Sequence, residues 1–131
     1  MSSKDLPYRE ALTKETEERL VSLYNQYSDI DELWGLYGEA IVGPAATGEP
    51  PIEPGKKSFN RILHQYKAAL CNDKRIQAFL DDDQTGDILS LAMVFTAKLA
   101  SEQFAGIDVC AAGLLIARIG LRKICEMERI E

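Results

Sequence analysis

An acidic run at residues 81–88, Asp-Asp-Asp-Gln-Thr-Gly-Asp-Ile, carries the residue types of a calcium-binding loop. As in the first half of an EF-hand loop, oxygen-bearing side chains stand at relative positions 1, 3 and 5, before a glycine at 6 and an apolar residue at 8. The second half departs from the pattern, because Ala92 stands where a bidentate glutamate must close the coordination sphere. We therefore interpret the run as a turn between helices with an acidic N-cap, and we predict no metal site.

A second short motif, Gly55-Lys56-Lys57-Ser58, resembles the end of a phosphate-binding loop. Such a loop needs a glycine at the position of Pro50 and a strand before it, and neither is found. A helix start flanked by lysines can still bind an anion weakly. We therefore keep a small set as possible anion-binding residues: Lys56, Lys57, Arg61 and Lys67.

These residues belong to a basic segment that extends from Lys56 to Arg75. Its simplest interpretation is the solvated side of an amphipathic helix. Docking onto an acidic surface, of a partner or of this chain, is one alternative, and nucleic-acid binding is another. The net charge of −6 and the lack of interleaved exposed aromatic residues argue against nucleic acid.

Catalytic groupings are sparse. His64 is the only histidine, the three cysteines form no CxxC pair, and no GxSxG nucleophile motif occurs. We predict no catalytic, cofactor-binding or metal-binding residues, and hence a non-enzymatic protein. The cysteines are interpreted as buried, reduced thiols of a cytoplasmic protein. The first residues lack the apolar stretch of a secretion signal, and no apolar run is long enough for a stable membrane span.

The elements that position these residues are predicted to be helices almost throughout. Thr13 has the character of an N-cap, followed by acidic residues in the first turn. Asp29, with Glu32 three residues later, has the form of a capping box for a second helix, which Gly43 and Pro44 end. Residues 13–42 therefore predict an N-terminal helical hairpin. It lies within an acidic region, since residues 1–50 hold ten acidic and four basic side chains.

A Pro/Gly-rich loop is predicted at residues 43–57, and a main helical bundle at 58–131. Ser58 is expected to cap a third helix that extends to Leu70, and residues 76–80 a short fourth helix. Asp87 is expected to cap a fifth helix, which extends to Phe104. A sixth helix is predicted over residues 108–131. The fold class is therefore all-α, a compact bundle of five or six helices in a single domain, 1–131.

The sixth helix is the most unusual, because its middle is apolar around the whole circumference. Gly113 and Gly120 lie on one side of it, and helical glycine costs about 1 kcal/mol, so we expect another backbone to approach there. The opposite side supplies our candidate partner-binding residues, which are Ala111, Ala112, Leu115, Arg118, Ile119 and Arg122. We favour an exposed, partner-facing patch around Leu115 and Ile119. The alternative is that the N-terminal hairpin folds across this helix and encloses it.

These observations favour a non-enzymatic protein–protein interaction module that associates through its apolar C-terminal helix. It would be an adaptor, a docking domain or a small acidic inhibitor of the immunity-protein type, with a protein partner or a second copy as its target. One alternative is a membrane-perturbing hairpin of the fifth and sixth helices. Another is anion or nucleic-acid binding through the basic patch from Lys56 to Arg75.

Overall fold

The computed structural model describes residues 8–43, 50–81, 87–102, 104 and 106–130, and every regular element in these ranges is helical. A 3-10 turn at Arg9–Ala11 precedes α1 (Lys14–Gln26), α2 (Ile30–Val42), α3 (Ile52–Arg61), α4 (Leu63–Leu70), α5 (Lys74–Leu80), α6 (Ile88–Ser101), α7 (Val109–Ile119) and α8 (Leu121–Glu126). The all-α prediction is confirmed for this part of the chain. Two of the six predicted helices are each divided, which accounts for the eight observed.

The predicted helix starts are confirmed where a side-chain oxygen caps the helix. Thr13 Oγ1 accepts from the Thr16 N–H at 3.1 Å, and Asp87 Oδ1 accepts from the Leu89 N–H at 3.1 Å. Asp29 caps α2 by accepting from the Asp31 N–H at 2.9 Å. These caps satisfy amide groups that have no partner within the helix, and they depend only on neighbouring residues.

The predicted loop at 43–57 is wrong in its second half, because α3 already begins at Ile52. Pro54 stands in the first turn of α3, where a missing amide hydrogen costs no intrahelical bond. Ser58 is therefore an internal residue of α3, not its cap. Residues 44–49 of this loop and residues 82–86 of the acidic turn lie outside the described residues.

Two breaks divide helices that the sequence predicts as continuous. At Ile62 the backbone leaves the helical region (φ −114°, ψ 18°) between α3 and α4, and we find no sequence signal for this. Gly120 adopts φ +106°, which residues other than glycine rarely adopt, and it separates α7 from α8. The single helix predicted over 108–131 is therefore wrong.

The centre of the fold is the pair α6 and α7, which pack against each other more extensively than any other two helices. Gly113 of α7 makes this possible. A Cβ atom built on it would lie 2.1 Å from Thr96 Oγ1 and 3.0 Å from the Thr96 backbone nitrogen. The expected close approach at the small-residue side is thus confirmed at Gly113. It is wrong for Gly120, which has no atom within 4 Å of such a Cβ.

A disulfide joins Cys71, directly after α4, to Cys125 in α8, with the two Cα atoms 5.8 Å apart. The prediction of three reduced thiols is therefore wrong for two of them, and only Cys110 is free and buried. Disulfides are typical of oxidising compartments, and in the cytosol they are usually redox-active. The cysteines thus no longer support a cytoplasmic location in the way the sequence indicated.

Candidate docking surfaces

The predicted partner-facing patch on α7 is not on the surface. Ala111, Ala112 and Leu115 have 0% of their surface exposed, and Ile119 is half-buried. Helices α1 and α2 both pack on α7, so the N-terminal hairpin folds across this helix. The expectation of an exposed apolar patch is therefore wrong, and enclosure within the chain, the alternative interpretation, is observed.

The two arginines of that predicted patch are held within the chain. The Arg118 guanidinium donates to the main-chain carbonyls of Tyr27 and Tyr24, the latter at 3.2 Å. It thereby satisfies carbonyl groups at the C-terminal end of α1 that lack helical partners. Arg122 donates to Asp81 at 2.6 Å, and both side chains are largely exposed. Arg118 is thus a structural residue, and Arg122 forms a surface ion pair.

The four predicted anion-binding residues are only partly brought together. Lys56 and Lys57 line a pocket of about 260 Å³ with Glu53, Asn60, Arg129 and Ile130. Arg61 is exposed on the same helix, α3. Lys67 instead donates from Nζ to the main-chain carbonyl of Met127 at 2.8 Å, which fixes the segment after α8.

A polar cluster that the sequence did not reveal lies where the 3-10 turn meets α5 and α6. The Tyr8 hydroxyl donates to Asp73, and Lys98 Nζ lies 3.5 Å from Asp73 and 3.0 Å from Glu102. Burial opposes ionisation of Asp73, but the hydrogen bonds from Tyr8 and the Ile76 amide, together with Lys98, outweigh it. The pKa of Asp73 therefore lies below its ordinary value of 3.8.

This cluster borders a groove of about 500 Å³, lined by Ile62, Gln65, Ala68, Ala69, Lys98, Glu102, Phe104 and Ile107. The ammonium of Lys98 already has two carboxylate partners, Asp73 and Glu102. The polar end of the groove therefore fastens α6 to the residues before α1 and α5, and its ammonium group is already used within the chain.

The helices α1 and α2 carry an acidic surface. Their exposed carboxylates are Glu15, Glu18, Asp29, Asp31, Glu32 and Glu39. Two nearby cations are neutralised, since Arg9 pairs with Glu17 at 3.2 Å and Arg19 binds both oxygens of Asp108 at 2.5 and 2.6 Å. The acidic character of this hairpin, which the sequence indicated, thus lies at the surface.

Exposed apolar side chains lie on the same two helices. Within the described ranges the large hydrophobic residues that are exposed are Val21 (37%), Ile30 (36%) and Val42 (56%). Glu18 and Glu39 precede Val21 and Val42 by one helical turn, and Asp29 and Asp31 flank Ile30. Each of these exposed apolar side chains therefore lies beside carboxylates.

A metal centre is not formed by the described residues, among which no three His, Cys, Asp or Glu side chains cluster as ligands. Within the same ranges, no helix is long and apolar enough to cross a membrane. Compared with known protein families, with curated proteins and with solved structures, the chain matches none of them.

Proposed function

We propose that this chain is a non-enzymatic protein-binding module that docks a basic protein surface through the acidic hairpin α1–α2. The observation that supports it is the coincidence, on these two helices, of exposed carboxylates with the exposed residues Val21, Ile30 and Val42. Unpaired carboxylates would attract a basic partner and set its orientation, and the apolar residues would be buried on contact. The proposal keeps the interaction role that the sequence indicated but places the surface on α1–α2 and not on α7.

The structure supports this location in a second way. Most of the apolar surface of α7 is used for folding, because α1, α2 and α6 pack on this helix and Cys110 to Ala117 are buried. The hairpin is packed on α7 through its inner residues Leu20, Leu23 and Leu33, which are buried. Its outer side is therefore presented on a rigid support, which lowers the entropic cost of association.

Two charge-matched variants test the proposal. One carries Glu18→Gln, Asp31→Asn and Glu32→Gln on the hairpin, and the other carries Glu53→Gln, Glu126→Gln and Glu128→Gln, also exposed carboxylates. Partners captured from a native source on the wild-type chain should be lost from the first variant and retained by the second. Loss from both or retention by both would refute the hairpin as the docking surface.

A further measurement separates a foreign partner from a second copy. Mass in solution, measured by light scattering at low and high salt, should show association of the purified chain only if its own basic residues supply the partner surface. If the purified chain associates, the hairpin variant should return it to a monomer, and the control variant should not. A dimer that persists in the hairpin variant would place self-association elsewhere.

A further inference from the structure

A small basic pocket lies between α3 and the segment that follows α8, residues 127–130. Its lining carries three basic side chains, Lys56, Lys57 and Arg129, and one acidic side chain, Glu53. The lining therefore has an excess of two positive charges, in a chain whose net charge is −6. Cationic side chains that line one concave surface attract anions to it, because the low-dielectric protein around them focuses their field.

Two of these cations are not neutralised within the part of the chain that the structure describes. The side chains of Lys56 and Lys57 form no ion pair there. Other basic residues are used within the chain, since Lys98 contacts two carboxylates and Arg19 binds both oxygens of Asp108. The two ammonium groups at the pocket are therefore able to bind an anion.

The wall of the pocket that segment 127–130 supplies is held in place by side chains that bind its main chain. Asn60 Nδ2 donates to the Ile130 carbonyl at 2.9 Å, and Asn60 Oδ1 accepts from the Ile130 N–H at 2.5 Å. Lys67 Nζ donates to the Met127 carbonyl at 2.8 Å. These contacts fix both ends of the intervening bend, and thereby the backbone of Arg129. A site whose parts are already in position binds its ligand at a lower entropic cost.

The size and the charge of the pocket select the class of ligand. Its volume of about 260 Å³ is below the roughly 300–1,000 Å³ of pockets for drug-sized molecules, so the ligand must be small. A phosphate group carries about two negative charges near neutral pH, which matches the excess charge of the lining. Its oxygens accept several charge-assisted hydrogen bonds at once, so that ammonium and guanidinium groups can bind it together.

We propose that the pocket between α3 and segment 127–130 binds the phosphate group of a small molecule, either the free ion or a phosphomonoester. Lys56, Lys57 and Arg129 contact the phosphate oxygens, and Asn60 holds the segment that carries Arg129. Because the ligand contacts both parts of the chain, its binding also stabilises the segment on α3. The site uses no residue of α1 or α2 and does not depend on the function proposed for them.

Titration of the purified protein with sodium phosphate tests the site. Backbone amide shifts in NMR spectra report both affinity and location, at about pH 7.5 and at an ionic strength held constant with sodium chloride. We expect saturable shifts in α3 and at residues 127–130, with a Kd on the order of 1 mM. Shifts that do not saturate, or that lie outside these residues, would overturn the proposal. A parallel titration with glycerol phosphate separates the sources, since tighter binding than that of phosphate assigns the site to a phosphomonoester and weaker binding to the free ion.

Charge-matched variants show whether the binding depends on the pocket. Lys56→Met with Lys57→Met should weaken phosphate binding by about tenfold or more, because two charge-assisted hydrogen bonds are lost. Lys74→Met with Lys123→Met removes the same charge from exposed positions outside the lining, and should change the affinity by less than about twofold. Glu53→Gln removes the carboxylate of the lining and should tighten binding by about two- to threefold. Equal weakening in the two lysine pairs would show a general effect of charge and refute the site.

Amide hydrogen exchange tests whether the C-terminal segment belongs to the site. At a phosphate concentration about ten times the measured Kd, exchange of the Ile130 amide should slow by about tenfold, because phosphate must leave before the segment can open. The variant that lacks both Lys56 and Lys57 should show no such slowing at the same phosphate concentration. An Ile130 exchange rate that phosphate leaves unchanged in the wild-type protein would contradict a site built from both parts of the chain.

Discussion

The crossing of α2 and α3 depends on two glycines, and Gly38→Ala is the substitution that tests it most directly. A Cβ atom on Gly38 would lie 2.2 Å from the Pro51 carbonyl oxygen and 3.2 Å from the Gly55 Cα. The Pro51 oxygen is fixed, since it accepts the Gly55 amide at 3.0 Å in the first turn of α3. The added methyl group must therefore push the start of α3 away from α2.

The size of the displacement follows from the distances. Real Cβ atoms stay at least 3.0 Å from such neighbours, so 2.2 Å leaves a shortfall of 0.8 Å. That shift also disturbs Trp34 of α2 and Phe59 of α3, whose rings pack edge to face with centroids 5.1 Å apart. Overpacking of this kind costs about 1–3 kcal/mol, and more when backbone must move. The higher helix propensity of alanine offsets about 1 kcal/mol of this cost.

We therefore expect Gly38→Ala to lower the free energy of unfolding by about 2 kcal/mol and the melting temperature by roughly 6–10 °C. Urea unfolding followed by the fluorescence of Trp34, the single tryptophan, measures it directly. Ala40→Gly, an exposed position on the same helix, is the control for propensity and should cost about 1 kcal/mol. A Gly38→Ala protein as stable as the wild type would refute the close crossing.

Three further predictions address polar contacts. Arg118→Ala should lower the unfolding free energy by about 1–3 kcal/mol in urea, because carbonyls at the end of α1 lose their donor; a loss below about 0.5 kcal/mol would contradict that role. Asp108→Ala should lower the free energy of unfolding by about 1–2 kcal/mol more than Asp108→Asn does. The asparagine keeps the N-cap of α7 and loses only the charge that pairs with the half-exposed Arg19. Equal losses would show that the cap contributes little. Burial raises the pKa of Tyr37 to about 12 from its ordinary 10.0 and also raises that of Tyr66, whose hydroxyl lies 2.6 Å away. The contribution of Tyr37 to stability is therefore complete below pH 10 and is lost as the pH rises through about 12. Tyrosinate absorbance from both rings while the helical circular dichroism is intact would contradict their burial.

The parts of the fold that the sequence predicted well are those set by neighbouring residues. Thr13, Asp29 and Asp87 cap helices where expected, because a side-chain oxygen and the amides it binds lie within a few positions of each other. The predicted start of α3 was wrong because it depends on packing against another helix and not on neighbouring residues. Four prolines and three glycines indicate a loop, but Pro54 is tolerated in a first turn that packing against α2 stabilises.

Glycine shows why a local pattern is ambiguous. Gly113 and Gly120 lie on one side of the predicted helix, and the sequence predicts the close approach of another backbone at both. In the structure Gly113 admits Thr96 of α6, whereas Gly120 adopts a positive φ and ends the helix. Gly113 is required because a neighbouring helix comes close, and Gly120 is required because its backbone has a positive φ. Only the position of α6 separates the two.

The candidate surfaces were harder to predict than the fold, because each depends on which helix covers which. Cys71 and Cys125 are 54 residues apart, and nothing near either one indicates its partner. Leu115 lies on a helix that is apolar all round, a pattern that fits enclosure as well as association. The acidity of α1–α2 was visible in the composition, but the exposure of Val21 and Ile30 required the packing of that hairpin on α7.

Enclosure of α7 has a consequence for where recognition can occur. A chain that uses its most apolar helices to build its core must cover them with amphipathic helices, and their outer sides are necessarily polar. Here those outer sides differ in charge, since α1 and α2 present carboxylates whereas α3 and α4 present lysines and arginines. Part of the basic side is covered by the segment 127–130, whose main chain Asn60 and Lys67 bind. Charge, and not an apolar helix, therefore distinguishes these outer surfaces, and under the proposed function a partner would be selected by charge first.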